Sequence, residues 1–189
     1  PDGGITIVGE KNLEQDVEEN FREVSRLLGL LGEKPGLRFV RGMEWADVGK
    51  LARGRLSILR DPELRAVGES FAARFGTPYI GSFPVGFSGS LAFLQGVASI
   101  LGIDPRDALE EERGLQEEVF SDFGDLMGER VHLPSVSGSG PDPFARELAE
   151  SLGLIPGDDG VPLPLPSPLP VGIGGLVRLL HRWRRVLHA

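Results

Sequence analysis

The sequence predicts an α/β protein: a doubly wound parallel sheet with helices on both faces, followed by a smaller, incomplete second α/β lobe. Short strand-like runs (Ile5–Val8, rich in β-branched residues, then Leu37–Val40 and Leu56–Leu59) alternate with segments of helical apolar spacing through Gly102. Strand-helix alternation of this kind builds right-handed βαβ units and a parallel sheet covered on both sides. After it comes a long acidic segment from Asp104 to Met127, and then a second, shorter alternation begins at Val131. The expected division is residues 1–103 for the first domain, 104–128 for a connecting helix that acts as a strut, and 129–189 for the small lobe.

The first strand, Ile5-Thr6-Ile7-Val8, closes on Gly9. Asn12 stands in N-cap position with Gln15 three residues on, the spacing of a capping box. Leu13, Val17, Phe21, Val24, Leu27, Leu28 and Leu31 then step at three and four while charges fill the other faces, so an amphipathic helix runs to Gly32. A Pro-Gly turn leads into the second strand, a short helix around Glu44 to Ala52 follows, and Leu56–Leu59 is the third strand. Asp-Pro pairs at Asp61, Asp104 and Asp142 mark three helix starts, with Asp as cap and Pro in the first turn.

The stretch Gly76–Ser88 reads as a short buried strand and a Gly/Pro-punctuated loop, after which Ser88 caps a helix carrying Leu91, Leu94, Ala98 and Leu101. Val131-His132-Leu133 is one more strand, and a helix runs from Pro143 to Leu152. Alternate prolines from Pro162 to Pro170 suit an extended connector wrapping the body. The chain closes on a basic amphipathic helix. Its apolar stripe is Leu176, Leu179, Leu180, Trp183 and Leu187, and Arg178, Arg182 and Arg185 are expected near the acidic strut.

Composition narrows the function. A net charge of −8 opposes nucleic-acid binding, which needs a basic footprint. No apolar run is long enough to span a bilayer and no secretory signal opens the chain, so a cytoplasmic protein is expected. Cysteine is absent, which rules out disulfides and thiolate ligands within these residues.

Ligands of open parallel sheets sit beyond the carboxyl ends of the strands. Two loops there are the candidate substrate-binding segments: Gly9, Glu10, Lys11 and Asn12 after the first strand, and Ser82, Phe83, Pro84, Gly86 and Ser88 before the fourth major helix. Lys11 and a helix N-terminus would together favour an anion, although neither loop has a dinucleotide or P-loop fingerprint. Both loops also read as plain connections with capping and solvated side chains. His181 and His188 are seven apart on the last helix, too distant for a shared metal without another ligand, and His132 stands alone. Asp158-Asp159 between glycines is a turn. No catalytic residue is assigned.

Taken in order, Ile5–Glu10 with its helix, Arg55–Arg60, Phe75–Gly86 and the exit Gly128-Glu129-Arg130-Val131 resemble the nitrogenase component 1 family over about residues 4 to 153. That family includes the dinitrogenase subunits, their cofactor-assembly scaffolds, the light-independent protochlorophyllide and chlorophyllide reductases, and the reductive cyclase of the methanogen nickel tetrapyrrole coenzyme. Gly9–Glu14 and Ser82–Gly86 look most like the last of these, and Pro170–Leu179 is similar to the family's final loop and helix.

The resemblance implies a Rossmann-like domain of a nitrogenase-like reductase acting on a tetrapyrrole or metallocofactor. Its implied partners are a paralogous or identical subunit and an ATP-dependent iron protein that delivers electrons through a bridging iron–sulfur cluster. The family's cluster cysteines have no counterpart here, so no cofactor is expected on this chain itself. A chain that begins at Pro1 and lacks them is expected to be an excised portion of a longer protein or a shortened relative. Two alternatives stay open: a non-catalytic assembly or carrier module that binds a tetrapyrrole or a paralogous subunit, and a small-molecule sensor on a generic doubly wound fold.

Overall fold

The computed structural model describes residues 3–10, 16–39, 41, 44, 47–135 and 140–189. Four strands, β1 (Ile5–Val8), β2 (Pro35–Phe39), β3 (Leu56–Leu59) and β4 (Tyr79–Ile80), form a parallel sheet in the order β2-β1-β3-β4. The helices between them are α1 (Val17–Leu30), α2 (Val48–Leu51) and α3 (Arg65–Phe75), and α4 (Gly86–Leu101) follows the last strand. The chain goes from β1 to one neighbour and from β3 onward to the other side, as expected of a doubly wound sheet.

Strand alternation sorts the side chains. Ile5, Ile7, Leu56 and Ile58 bury against Val24, Leu27 and Leu28 of α1 and Phe93, Leu94 and Val97 of α4. Each such fully buried aliphatic side chain contributes about 1.5–3 kcal/mol, so this face dominates the first core. On the other face Leu59 lies against Gly68 of α3, where a Cβ would come within 3.1 Å of its Cδ1.

The second half begins with α5 (Arg106–Asp122), a 3-10 turn at Gly124–Leu126 and β5 (Arg130–His132). Then come α6 (Pro143–Ser151), β6 (Ile155–Pro156), β7 (Val161–Pro162) and α7 (Gly172–Leu187). A small parallel sheet takes the order β6-β5-β7. Gly160 lets the chain cross β5, since a Cβ there would sit 2.3 Å from the Val131 carbonyl carbon. Phe87, Phe123, Val131, Phe144, Leu148, Leu176, Leu180 and Trp183 make the second core.

The acidic segment is helical to Asp122 rather than to Met127, and Gly114 leaves it unbroken. It packs along α1, α4 and α7, giving Ala108 and Leu109 to the first core while Phe120 packs on the second. Its buried Glu112 accepts a 2.8 Å hydrogen bond from Arg26 of α1, which also pairs with Glu23.

Several boundaries differ from expectation for local reasons. Helix α4 starts at Gly86, two residues before Ser88, because Gly86 takes φ 75° and turns the chain early. Asp61-Pro62 opens a 3-10 turn before α3, whereas Asp142 caps α6 as expected by accepting from the N–H groups of Phe144 and Ala145. Pro162, expected only in extended connector, ends the edge strand β7, and Pro156 ends β6, where a missing N–H costs no ladder bond. The Asn12–Gln15 capping box and Leu13 lie outside the described residues.

The Pro-rich segment wraps the body as expected: Leu163 is buried in the second core, Leu165 and Leu169 pack on it, and Pro164 O accepts the Trp183 indole N–H at 2.9 Å. On α7 it is Arg184, not the Arg178, Arg182 and Arg185 face, that reaches the end of the acidic segment, bonding the Asp122 carbonyl and pairing with Asp125. Arg178 instead faces Asp16 at the start of α1, at 3.8 Å.

Candidate functional site at the carboxyl edge of the sheet

The chain reverses direction across the sheet between β1 and β3, and ligands of such folds bind outside that point. Gly9 follows β1 and donates its N–H to Phe39 O at 2.9 Å, which fixes the mouth of β1 against β2. Next, Glu10 turns inward with its side chain 1% exposed. Its two oxygens accept from Arg38 Nε at 2.6 Å and Nη2 at 2.9 Å, a bidentate pair.

Arg38 is the hub of this cluster. Its Nη1 also meets Glu18 at 3.1 Å, and its guanidinium lies 3.9 Å over the Phe21 ring. Hydrogen bonding to Glu10 holds the Arg38 guanidinium above its ordinary pKa, and the Arg38 hydrogen bond holds the Glu18 carboxyl below the usual range. Arg41 adds a second cation to Glu18 at 2.8 Å.

On the other side of the crevice, buried Arg60 follows β3. Its N–H donates to Val8 O at 2.8 Å and its carbonyl accepts from Phe83 N at 3.4 Å, so its backbone ties the end of β1 to the loop after β4. The Arg60 guanidinium pairs with Asp61 at 3.4 Å and lies 5.2 Å from the Phe83 ring.

The candidate residues therefore separate into two places. Gly9 and Glu10 follow Val8, which Arg60 ties to Phe83 across the crevice, with half-buried Ser82 next to Phe83. Pro84, Gly86 and Ser88 lie in a seam between α4, α6 and α7: Pro84 O accepts from Gly172 N at 3.1 Å, and Gly86 abuts Phe144. The Ser88 N–H and hydroxyl both donate to Glu147 of α6 at 2.9 Å. Lys11 and Asn12 lie outside the described residues.

Sequence alone does not mark Arg38, Glu18, Arg60 and Glu147 as site residues. Only Arg60 carries a local signal, a charged residue directly after an apolar strand; the others are recognised by partners distant in the chain.

An arrangement of paired guanidiniums and carboxylates beside aromatic rings can orient a polar, flat ligand and exclude water. It does not fit a thiolate-held cluster, because the chain has no cysteine, and among the described residues no three His, Asp or Glu side chains converge on a metal position. His181 packs edge-on to Phe123 with centroids 5.0 Å apart, His188 lies 3.9 Å from Asp125, and His132 is exposed on β5. Asp159 forms part of the turn between β6 and β7 and pairs with Arg130 at 2.6 Å.

Comparison with known proteins agrees with this architecture. The family model described as Nitrogenase component 1 type Oxidoreductase matches residues 1–135. A light-independent protochlorophyllide reductase subunit from Methylobacterium radiotolerans is 30% identical over 93 residues, 49% of this chain and 18% of that protein. The protein of the same name from Synechococcus sp. strain WH7803 is 28% identical over 154 residues, 79% of this chain and 29% of its own length. A solved structure titled Nitrogenase Cp1 at pH 5 superposes with a TM-score of 0.60 at 17% identity, over 82% of this chain and 32% of that one, a likeness of fold. The chain thus spans less than a third of the length of these relatives. With the family model matched over most of its residues, this chain belongs to the nitrogenase component 1 type oxidoreductases.

Proposed function

We propose that this chain forms part of a nitrogenase-like reductase that acts on a tetrapyrrole, and that it supplies one wall of the substrate pocket from the carboxyl edge of the first sheet. The observation that carries the reading is the family match over residues 1–135, together with relatives named as light-independent protochlorophyllide reductase subunits. The wall comprises Gly9, Glu10, Lys11 and Asn12 from one loop and Ser82 and Phe83 from the other, which Pro84, Gly86 and Ser88 anchor in the seam against α6 and α7. In this reading Phe83 and the Arg60 and Arg38 clusters hold the crevice in shape while Lys11 attracts the anionic rim of the substrate.

Electrons come from a separate ATP-dependent iron protein, a paralogous or identical subunit completes the pocket, and the assembly works in the cytoplasm. Any iron–sulfur cluster on that route is held by residues outside these 189. Protochlorophyllide is the substrate suggested by the relatives' names, and the nickel tetrapyrrole precursor is the one suggested by the two loops.

The test is an absorbance titration of the purified chain with protochlorophyllide and, separately, with sirohydrochlorin. Saturable binding is expected, weakened in Lys11→Ala with the far-ultraviolet circular dichroism unchanged. Equal binding by Lys11→Ala would refute the role of the first loop. Glu10 is a poor probe by itself, since its removal strips the buried pair from Arg38.

A second reading, a non-catalytic carrier or assembly module, is favoured by the absence of cysteine. It predicts that the chain binds tetrapyrrole yet adds nothing to reductase turnover when combined with iron protein and paralogous subunit.

A further inference from the structure

A second cleft lies away from the crevice loops, where the Pro-rich segment passes between the start of α1 and the exposed side of α7. Its volume is about 270 Å³, and Asp16, Asn20, Pro168, Leu169, Arg178 and Arg182 contribute to its walls. Both arginines come from residues outside the family match, which ends at residue 135.

Three features give the cleft a chemistry. Arg178 and Arg182 stand one turn apart on α7 and so project along the same side. Among the described residues Arg178 has only the long 3.8 Å approach of Asp16, and Arg182 has no ion-pair partner. Among the described lining residues two guanidiniums stand against one carboxylate, a positive balance within a chain of net charge −8. Asn20, only 5% exposed, lines the cleft and brings a side-chain amide to its wall. Pro168 and Leu169 supply an apolar side.

We propose that this cleft binds a small organic monocarboxylate. Its oxyanion is held by Arg178 and Arg182 and receives a hydrogen bond from the Asn20 amide, and its short apolar body rests on Pro168 and Leu169. Asp16 sets the charge: one carboxylate is matched by the surplus guanidinium, and a second would meet Asp16. The inference is independent of the tetrapyrrole reading, because the cleft uses none of the crevice residues.

The test is titration of the ¹⁵N-labelled chain with butyrate into the millimolar range, with inorganic phosphate and 1-butanol as parallel titrants, read from amide chemical shifts. Butyrate is expected to give saturating shifts at Asn20, Arg178 and Arg182, with an affinity at least about tenfold weaker in Arg182→Gln, the loss of one charge-assisted hydrogen bond. Arg182 is exposed, so the variant should keep its dispersed spectrum. Absence of saturating shifts at these residues, or an unchanged affinity in a folded Arg178→Gln, Arg182→Gln double variant, would overturn the proposal. Phosphate or 1-butanol binding as tightly as butyrate would overturn the carboxylate assignment.

Discussion

Replacing Arg38 by Met tests whether the crevice is held open by its buried ion pair. Met keeps an unbranched apolar stem and removes the guanidinium, with its place over the Phe21 ring. Glu10, whose side chain is 1% exposed, then loses hydrogen bonds of 2.6 and 2.9 Å at once. Breaking a buried pair from one side costs about 3–5 kcal/mol, because the surviving charge has neither water nor partner. Arg38 is itself 21% exposed, so water can reach part of the site and the lower end of that range, about 3 kcal/mol, is expected. Glu18 adds little, since it is half exposed and keeps Arg41 at 2.8 Å. A loss of this size is a large share of a domain's usual stability of about 5–15 kcal/mol.

The double variant Glu10→Gln, Arg38→Met removes the stranded charge and is expected to cost only about 1–2 kcal/mol, less than Arg38→Met alone. Urea unfolding followed by circular dichroism at neutral pH measures the double variant and both singles against the parent. A loss below about 1 kcal/mol in Arg38→Met, or a double variant equal to the sum of the singles, would refute the pairing as the element that shapes the crevice.

Trp183→Phe removes the indole donor to Pro164 and a ring's worth of volume, and should lower stability by about 1–3 kcal/mol; an unchanged urea midpoint would mean that the Pro-rich segment is not anchored there. Hydrogen bonds from Arg184 and Arg38 hold the Asp125 and Glu18 carboxyls below the usual range, so their contribution is present above the unfolded-state pKa and lost as pH falls through the folded one. Between about pH 5 and 3 the parent should therefore lose stability more steeply than an Asp125→Asn, Glu18→Gln double variant, and parallel curves would contradict this. Gly172→Ala should destabilise more than Gly86→Ala: both sites have positive φ, but the new Cβ meets Glu23 Cγ at 2.3 Å in the first and a Phe144 ring atom at 3.2 Å in the second. Equal unfolding midpoints for the two variants would count against that reasoning.

The elements that could be read from the sequence are those set by local spacing. The apolar stripe of α1, the Asp142 cap and the strand at Val131 depend on residues within a turn or two of each other. The site was legible only as a position, the carboxyl edge of the sheet. Glu10 announces a charge at the strand mouth, but its partner Arg38 is 28 residues away and is brought there by the β1–β2 register, in which Ile7 pairs with Arg38. Ser88 looks like a cap because its hydroxyl precedes an apolar run, yet the positive φ of Gly86 starts the helix earlier and hands that hydroxyl to Glu147. The sequence does not single out Arg184 for a similar reason: which arginine meets the acidic segment depends on how α7 is rotated against α5, which its own sequence does not encode.

The seam between the two cores explains how so small a chain holds a wide sheet edge in place. Pro84-Val85-Gly86-Phe87 and Pro170-Val171-Gly172-Ile173 are the same device used twice: an extended valine, a glycine at positive φ, then a helix. The two valines pair as an antiparallel bridge, and Gly172 N donates to Pro84 O, so α4 and α7 begin side by side. Two helix starts brought together place two partial positive charges in contact, an arrangement that would be unfavourable without compensation. Each receives a carboxylate from another element: Glu147 of α6 accepts from Ser88 N at 2.9 Å, and Glu23 of α1 accepts from Gly174 N at 2.8 Å. Because Glu23 also pairs with Arg26, which reaches buried Glu112, this compensation runs on into α5. The loop that carries Phe83 to the crevice is thus fixed at its far end by charges from three helices, and a rigid far end is what a binding loop needs if its mouth is to keep one shape.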